Sequence, residues 1–300
     1  MGGRCAGAVA ESGVTARRLG LLALPLLWTA AFVVVPLLLI LKISFAEAQL
    51  AQPPYTPLFQ DGALAASLTN YSLLLEDTLY LRALGNSLLY AGLATICCLV
   101  IGLAIARAVT QAPKGWQPFL LTLIILPFWT SFLIRVYAWI ALLKPEGLIN
   151  AALLSSGVID QPLVLVNTGF GVVLGMTYSY LPFAILPIYA SLAGQSPRLT
   201  EAAIDLGSTP IRAFWLVTVP LARPGILAAG LMVFIPMAGE FVIPDLLGGS
   251  ATIMMGQTLW TEFFSNRDWP LASALAVLLT LLLLVPAMTL QRLELGKASR

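Results

Sequence analysis

A chain of 300 residues with 59% hydrophobic and 10% charged side chains and a mean hydropathy of +0.91 excludes an ordinary water-soluble domain, which carries roughly 25% charged residues. The net charge of +2 supplies no field that would hold nucleic acid. Histidine is absent, which removes the commonest metal ligand and proton shuttle, and Cys5, Cys97 and Cys98 have no spacing suited to zinc or to a disulfide framework.

Long apolar runs separated by proline, glycine and charge predict an all-α integral membrane protein of about six helices. In chain order they give a tail at 1–18, spans near 19–43, 87–106, 118–143, 169–192, 225–243 and 270–290, and a tail at 291–300. Each run is near or above the ~20 residues a helix needs to cross ~30 Å of hydrocarbon. The alternation of a membrane barrel is missing, so helices must satisfy the backbone internally. Arg17-Arg18 precede the first run, as they would in a signal peptide or a twin-arginine export signal. The run is too long for a signal-peptide core and no small-x-small cleavage site follows, so an uncleaved anchor is expected. The connection from Ser44 to Asn86 is the longest, and its Gln52-Pro53-Pro54-Tyr55-Thr56-Pro57 stretch is stiff and extended. It is expected to pack over the outer face.

Orientation follows from Lys and Arg, which favour cytoplasmic segments. With the N-terminus inside, only Lys42, Arg82, Lys144 and Arg267 fall in outside segments. Both termini are then cytoplasmic. Acidic residues fall mostly outside: Glu47, Asp61, Glu76, Asp77, Glu146, Asp160, Glu262 and Asp268, with Glu240 and Asp245 near that edge. Such a mouth either concentrates a cation or is a solvated rim.

The inside segment 196–226 is the most informative. Ser196 can cap a helix that Pro197 begins. Glu201-Ala202-Ala203-Ile204-Asp205-Leu206 is good helix material, and Gly207 suits the left-handed residue that ends it. Thr209-Pro210 starts a second short helix, which Val219-Pro220 is expected to end. Leu199, Ala203 and Leu206 form an apolar side that something should cover. Glu201 and Asp205 share a helical face but no water-excluded pocket, so acid–base chemistry is not expected of them.

Glu201-Ala202-Ala203, Gly207, Pro220 and Pro224-Gly225-Ile226 resemble the "EAA" signature of binding-protein-dependent ABC permeases. Ser208 and Thr218-Val219-Pro220 depart slightly from the usual pattern. The resemblance implies the type I importer fold and a coupling loop over 196–222 that docks in a separate ATPase, with Glu201, Ala202, Ala203, Asp205, Leu206 and Gly207 at the contact. It also implies a second permease subunit, two ATPase subunits and a periplasmic substrate-binding protein as partners and the bacterial inner membrane as the location, beside the membrane lipid that the apolar composition already requires. The chain has no phosphate-binding G-x-x-x-x-G-K-[ST] loop, so ATP and magnesium are expected on the ATPase partner and no cofactor on this chain. It is therefore expected to be a transport subunit rather than an enzyme. A secondary transporter or channel is the competing class; the 196–226 segment argues against it.

A second resemblance covers most of residues 80–290. Phe234-Ile235-Pro236-Met237-Ala238-Gly239-Glu240-Phe241-Val242-Ile243-Pro244-Asp245 and Glu262-Phe263-Phe264-Ser265-Asn266-Arg267-Asp268-Trp269-Pro270 are similar to polyamine permeases, as are Asn86-Ser87-Leu88 and Arg135-Val136-Tyr137-Ala138-Trp139. Among them the first permease subunit of spermidine/putrescine importers is most alike, although relatives for other small solutes share parts of the pattern. Ammonium groups need carboxylates, carbonyls or aromatic faces along their path. Glu240, between Pro236 and Pro244, is the best candidate; it either faces the pathway or pairs with Arg135. Asp245, Glu262 and Asp268 are outer-edge carboxylates that suit either the solute or the binding protein. Tyr178, Tyr180, Trp129, Tyr137, Trp139 and Trp260 either stack on ammonium groups or anchor span ends at the interface.

Overall fold

The computed structural model describes residues 23–57, 59–60, 63–64 and 66–298. The 1–18 tail with Cys5 and Arg17-Arg18, the start of the first span, Asp61 and Arg300 lie outside the described residues. The helices run in order α1 (Ala23–Ser44), α2 (Thr69–Glu76), α3 (Thr78–Gln111), α4 (Gln117–Trp129), α5 (Phe132–Leu143), α6 (Leu148–Ser155), α7 (Gly169–Ala193), α8 (Pro197–Asp205), α9 (Pro210–Leu221), α10 (Arg223–Ala238), α11 (Val242–Leu247), α12 (Met255–Trp260) and α13 (Trp269–Ala298). One antiparallel pair, β1 (Phe59–Gln60) with β2 (Ala63–Leu64), places Phe59 opposite Leu64. α1, α3 and α7 are each long and apolar enough to cross a membrane, and α4 with α5–α6, and α9 with α10, qualify as bent pairs.

The chain divides into two compact units. The first holds the residues up to Leu73 together with Glu262–Leu278. Its α1 exposes apolar side chains on every side, which suits lipid or partner helices. Where α1 ends, the Ser44 hydroxyl meets the Tyr71 hydroxyl at 2.8 Å and Asn70 donates to the carbonyls of Ser44 and Ala46 at 3.0 and 2.8 Å. Ahead of α13, Asp268 accepts from the Leu271 amide at 3.0 Å and Phe263 stacks on Trp269 at 5.2 Å. A cavity of about 980 Å³ lies between residues 48–54 and 263–269.

The second unit holds Leu74–Thr261 and the residues from Leu279 onward. Its centre is α3, α7 and α10, which pack on one another pairwise. α3 starts well before the expected 87, because the Asp77 carboxylate caps it by accepting from the Leu79 amide at 2.8 Å. At 1.5 Å per residue it spans ~50 Å, more than the hydrocarbon. Its buried face runs from Tyr80 to Val109, and between them it carries small side chains at helical spacing: Ala83, Ser87, Ala91, Ala94, Cys98 and Ala106. Small residues let membrane helices approach closely, and here Gly102 brings α3 against Ala184 and Ile188 of α7.

Two expected spans are corrected. The 118–143 run is not one helix: α4 tightens into a 3-10 turn at Leu126–Trp129, Thr130 and Ser131 are extended, and the chain resumes as α5 at an 87° bend. Pro127 has no N–H to give the α-helical ladder, and its ring crowds the preceding turn. The 225–243 run ends early, at Ala238. Pro244 cannot return a hydrogen bond to the Glu240 carbonyl, so a helix through 240–244 would lose its ladder there. Gly239 to Phe241 form a break, and α11 starts afresh at Val242.

Candidate substrate site and coupling segment

The segment after α7 folds as the two short helices its sequence suggests. Pro197 opens α8, although the Ser196 side chain makes no capping bond. Gly207 adopts φ +89°. Its amide bonds the Ile204 carbonyl at 2.8 Å, and the Ser208 amide bonds that of Ala203 at 3.0 Å. This is the paired-bond helix ending that a left-handed glycine permits. Thr209 then caps α9 by accepting from the Arg212 amide at 3.3 Å. Val219-Pro220 does not end α9, as the sequence suggested; a π-turn at Phe214–Thr218 absorbs the proline and the helix runs on to Leu221. The 68° bend into α10 follows.

Three contacts tie this segment down. The Thr200 and Thr218 hydroxyls meet at 3.2 Å, Gln195 donates to the Thr218 carbonyl at 3.2 Å, and the Arg107 guanidinium of α3 sits 3.9 Å from the centre of the Phe214 ring. Between α3 and α8–α9 lies a cavity of about 590 Å³ lined by Arg107, Lys114, Gln117, Gln195 and Glu201. Glu201, Ala202, Asp205, Leu206 and Gly207 are exposed, and Ala203 is half-buried. Leu206 is 88% exposed and Leu199 50%, so the apolar side predicted at Leu199 and Leu206 is uncovered in this chain.

At the other break, Glu240 is 9% exposed. The Tyr180 hydroxyl of α7 donates to one carboxylate oxygen, and the Val242 amide donates to the other at 3.0 Å. Gly256 makes room for this turn: a side-chain carbon there would fall on the carbonyl oxygens of Gly239 and Glu240. Trp260 of α12 stacks on Phe241 at 4.7 Å. The expected alternative for Glu240, an ion pair with Arg135, is not formed. Arg135 lies instead over Phe128 at 4.6 Å and Phe132 at 5.7 Å, with buried Nε and Nη1 groups that have no hydrogen-bond partner. The 87° bend before α5 sets the guanidinium among the rings of the break.

The other sequence candidates are dispersed. Asp245 is exposed and accepts from Gln257 at 2.9 Å. Tyr178 packs edge-on against Trp139 at 5.3 Å. Trp129 and Tyr137 are 78% and 57% exposed, and neither joins the Glu240 cluster. Glu262 accepts from Asn266 at 2.8 Å within the first unit. Sequence reasoning missed Phe128 and Phe183, whose rings meet edge-on at 5.2 Å, with Phe183 6.3 Å from Tyr180. The only signal for them was their place in apolar runs, which says nothing about who meets whom.

The architecture resembles solved importers. A bacterial ABC transporter involved in the import of the acidic polysaccharide alginate aligns with a TM-score of 0.69 at 16% identity, over 94% of this chain and 98% of that one. The same score is found for bacterial alginate ABC transporter in complex with its alginate pentasaccharide-bound periplasmic protein. Residues 99–293, which include the whole of α7 to α12, match the model of the binding-protein-dependent transport system inner membrane component. The chain belongs to that family. Its members are inner-membrane components of transport systems, and this permease carries its exposed two-helix segment, α8 and α9, within the matched residues. Among curated relatives, the spermidine/putrescine transport system permease protein PotB of Haemophilus influenzae is 38% identical over 85% of this chain and 86% of its own length. The Escherichia coli protein of the same name is 37% identical over 85% and 90%. The osmoprotective compounds uptake permease protein GgtC of a Synechocystis strain is 26% identical over 88% of this chain.

Proposed function

We propose that this permease is one of two membrane subunits of an ATP-driven importer for polyamines such as spermidine or putrescine, and that it forms half of the translocation pathway. The observation that carries the reading is Glu240: a nearly buried carboxylate at a helix break, in an apolar bundle, with an aromatic hydroxyl and an amide as its partners and no basic side chain on it. An intramembrane carboxylate is expensive and marks an ion or substrate path. Non-helical backbone beside it is tolerated at membrane depth where it lines a cavity or is buried in protein. A carboxylate so placed suits an ammonium group, and relatives 37–38% identical are named for spermidine and putrescine.

In this reading α8 and α9 face the cytoplasm and seat in one of two ATPase subunits, which hold ATP and magnesium. The exposed Leu206 and Leu199 supply the apolar contact, and Glu201 and Asp205 its charged rim. A periplasmic binding protein delivers the amine at the opposite face. ATP binding and hydrolysis then shift the populations of two membrane conformations, with the coupling helices transmitting the motion.

Reconstitution with the products of the neighbouring genes tests this. ATP hydrolysis and uptake of labelled amine are measured with the binding protein present. Polyamines should stimulate both. Hydrolysis that ignores every amine, or that responds only to a neutral osmolyte or a sugar, overturns the polyamine reading.

A further inference from the structure

Arg135 is a cation with an unusual setting. Its guanidinium rests on the rings of Phe128 and Phe132 at 4.6 and 5.7 Å, and its buried Nε and Nη1 have no hydrogen-bond partner. Unmade hydrogen bonds at buried donors are costly, more so for charged groups. An arginine that merely anchors a span end would turn its N–H groups to water or lipid phosphates. This one buries two of them and is held by π-faces alone. Those faces belong to a longer series. Phe128 meets Phe183 at 5.2 Å, Phe183 meets Tyr180 at 6.3 Å, and Tyr180 donates to Glu240. Phe183 is 37% exposed and Phe128 and Tyr180 are half-buried. The series therefore has a carboxylate at one end, a guanidinium at the other and accessible rings between them. Both ends lie beside interrupted helices, at Thr130–Ser131 and Gly239–Phe241, and irregular backbone of this kind does not face lipid.

We propose that the faces of Phe128 and Phe183 are a second ammonium subsite next to Glu240, and that Arg135 is the resident cation which substrate displaces from it. The inference rests on the polyamine reading and deepens it. A polyamine presents ammonium groups joined by short methylene chains. One ammonium pairs with Glu240, the chain lies along Tyr180 and Phe183, and an ammonium further along it takes the Phe128 face by cation–π attraction. Arg135 carries a like charge and competes for that face. It keeps the rings occupied while the site is empty and weakens the hold on substrate, which favours release. A monoamine reaches Glu240 alone and cannot displace the guanidinium, so Arg135 also selects for more than one positive charge.

The test uses the full transporter in proteoliposomes, with Cys5, Cys97 and Cys98 replaced by alanine. Phe128→Cys and Phe183→Cys are introduced singly and their rates of modification by a cationic alkylammonium methanethiosulfonate and by a neutral one are compared. Both cysteines should react with both reagents, and spermidine should slow the reaction. Adding Arg135→Gln should speed the cationic reagent about threefold to thirtyfold and leave the neutral one unchanged. In parallel, Phe128→Leu should raise the concentration of spermidine giving half-maximal uptake severalfold at normal membrane levels. Cysteines inert to both reagents, or an Arg135→Gln effect equal for both, overturn the subsite. If that happens while the wild-type transporter imports polyamines, the functional reading stands and only the subsite falls. A wild-type transporter that imports no polyamine overturns both.

Discussion

Glu240 and Tyr180 come from helices far apart in sequence, and their hydrogen bond joins the end of α10 to the middle of α7. A buried hydrogen bond to a carboxylate contributes about 1.5–3 kcal/mol. Tyr180→Phe leaves one carboxylate oxygen short of a donor, so the purified permease should unfold at a lower temperature, with its membrane level little changed. Glu240→Gln is the sharper probe of transport. It keeps the shape and removes the charge, and uptake of labelled spermidine should fall about tenfold or more at equal expression. Unaltered uptake in that variant would remove Glu240 from the pathway. The other carboxylates differ in setting. Asp245 is exposed and tied to Gln257, so Asp245→Asn is expected to leave uptake nearly intact unless the binding protein touches it.

Elements matter where two of them pass closely. Gly225, near the start of α10, lies on α7, and an added side-chain carbon would collide with Ser191 and crowd the Pro187 carbonyl. Overpacking of this kind costs about 1–3 kcal/mol. Gly225→Val should lower the amount of folded permease, read as a smaller monodisperse peak after detergent extraction. Gly207 differs: a Cβ there meets open space, but its φ of +89° is strained for any L side chain. Gly207→Val should therefore disturb the α8–α9 turn alone. The expected result is ATP hydrolysis that no longer responds to loaded binding protein and uptake reduced about tenfold, with the permease still in the membrane. Normal stimulation and normal uptake would dissociate the α8–α9 turn from energy coupling.

At the scale of the whole molecule, the exposed surface is apolar over α1 and over much of α3, and α8–α9 project with Leu206 uncovered. These are the faces of a subunit that works in lipid and among partners. The charge distribution predicts which side is which. With Arg198, Arg212 and Arg223 inside, a reporter that fluoresces only in the cytoplasm should be bright when fused after Ser208, and a phosphatase active only in the periplasm should be active when fused after Asn266. The reverse pattern would contradict the orientation and remove α8–α9 from reach of a cytoplasmic ATPase.

The membrane class, the helical architecture and the family were legible in the chain, because each is written in contiguous residues. Apolar runs must be satisfied by lipid, Gly207 must take the left-handed turn its neighbours leave to it, and the Glu201-Ala202-Ala203 to Gly225 pattern is local. The small-residue stripe of α3 could be read the same way, from helical spacing alone. Where helices break was partly legible, since Pro127 and Pro244 forbid ladder bonds wherever they stand; the apolar runs around them nevertheless suggested continuous spans. Only tertiary structure decided the pairings: that Glu240 takes Tyr180 rather than Arg135, that Arg135 takes Phe128, and that Trp129 and Tyr137 stay exposed. Such choices depend on the crossing of helices that are distant in sequence, and hydropathy carries no record of which apolar or polar side chain will be met on the other side.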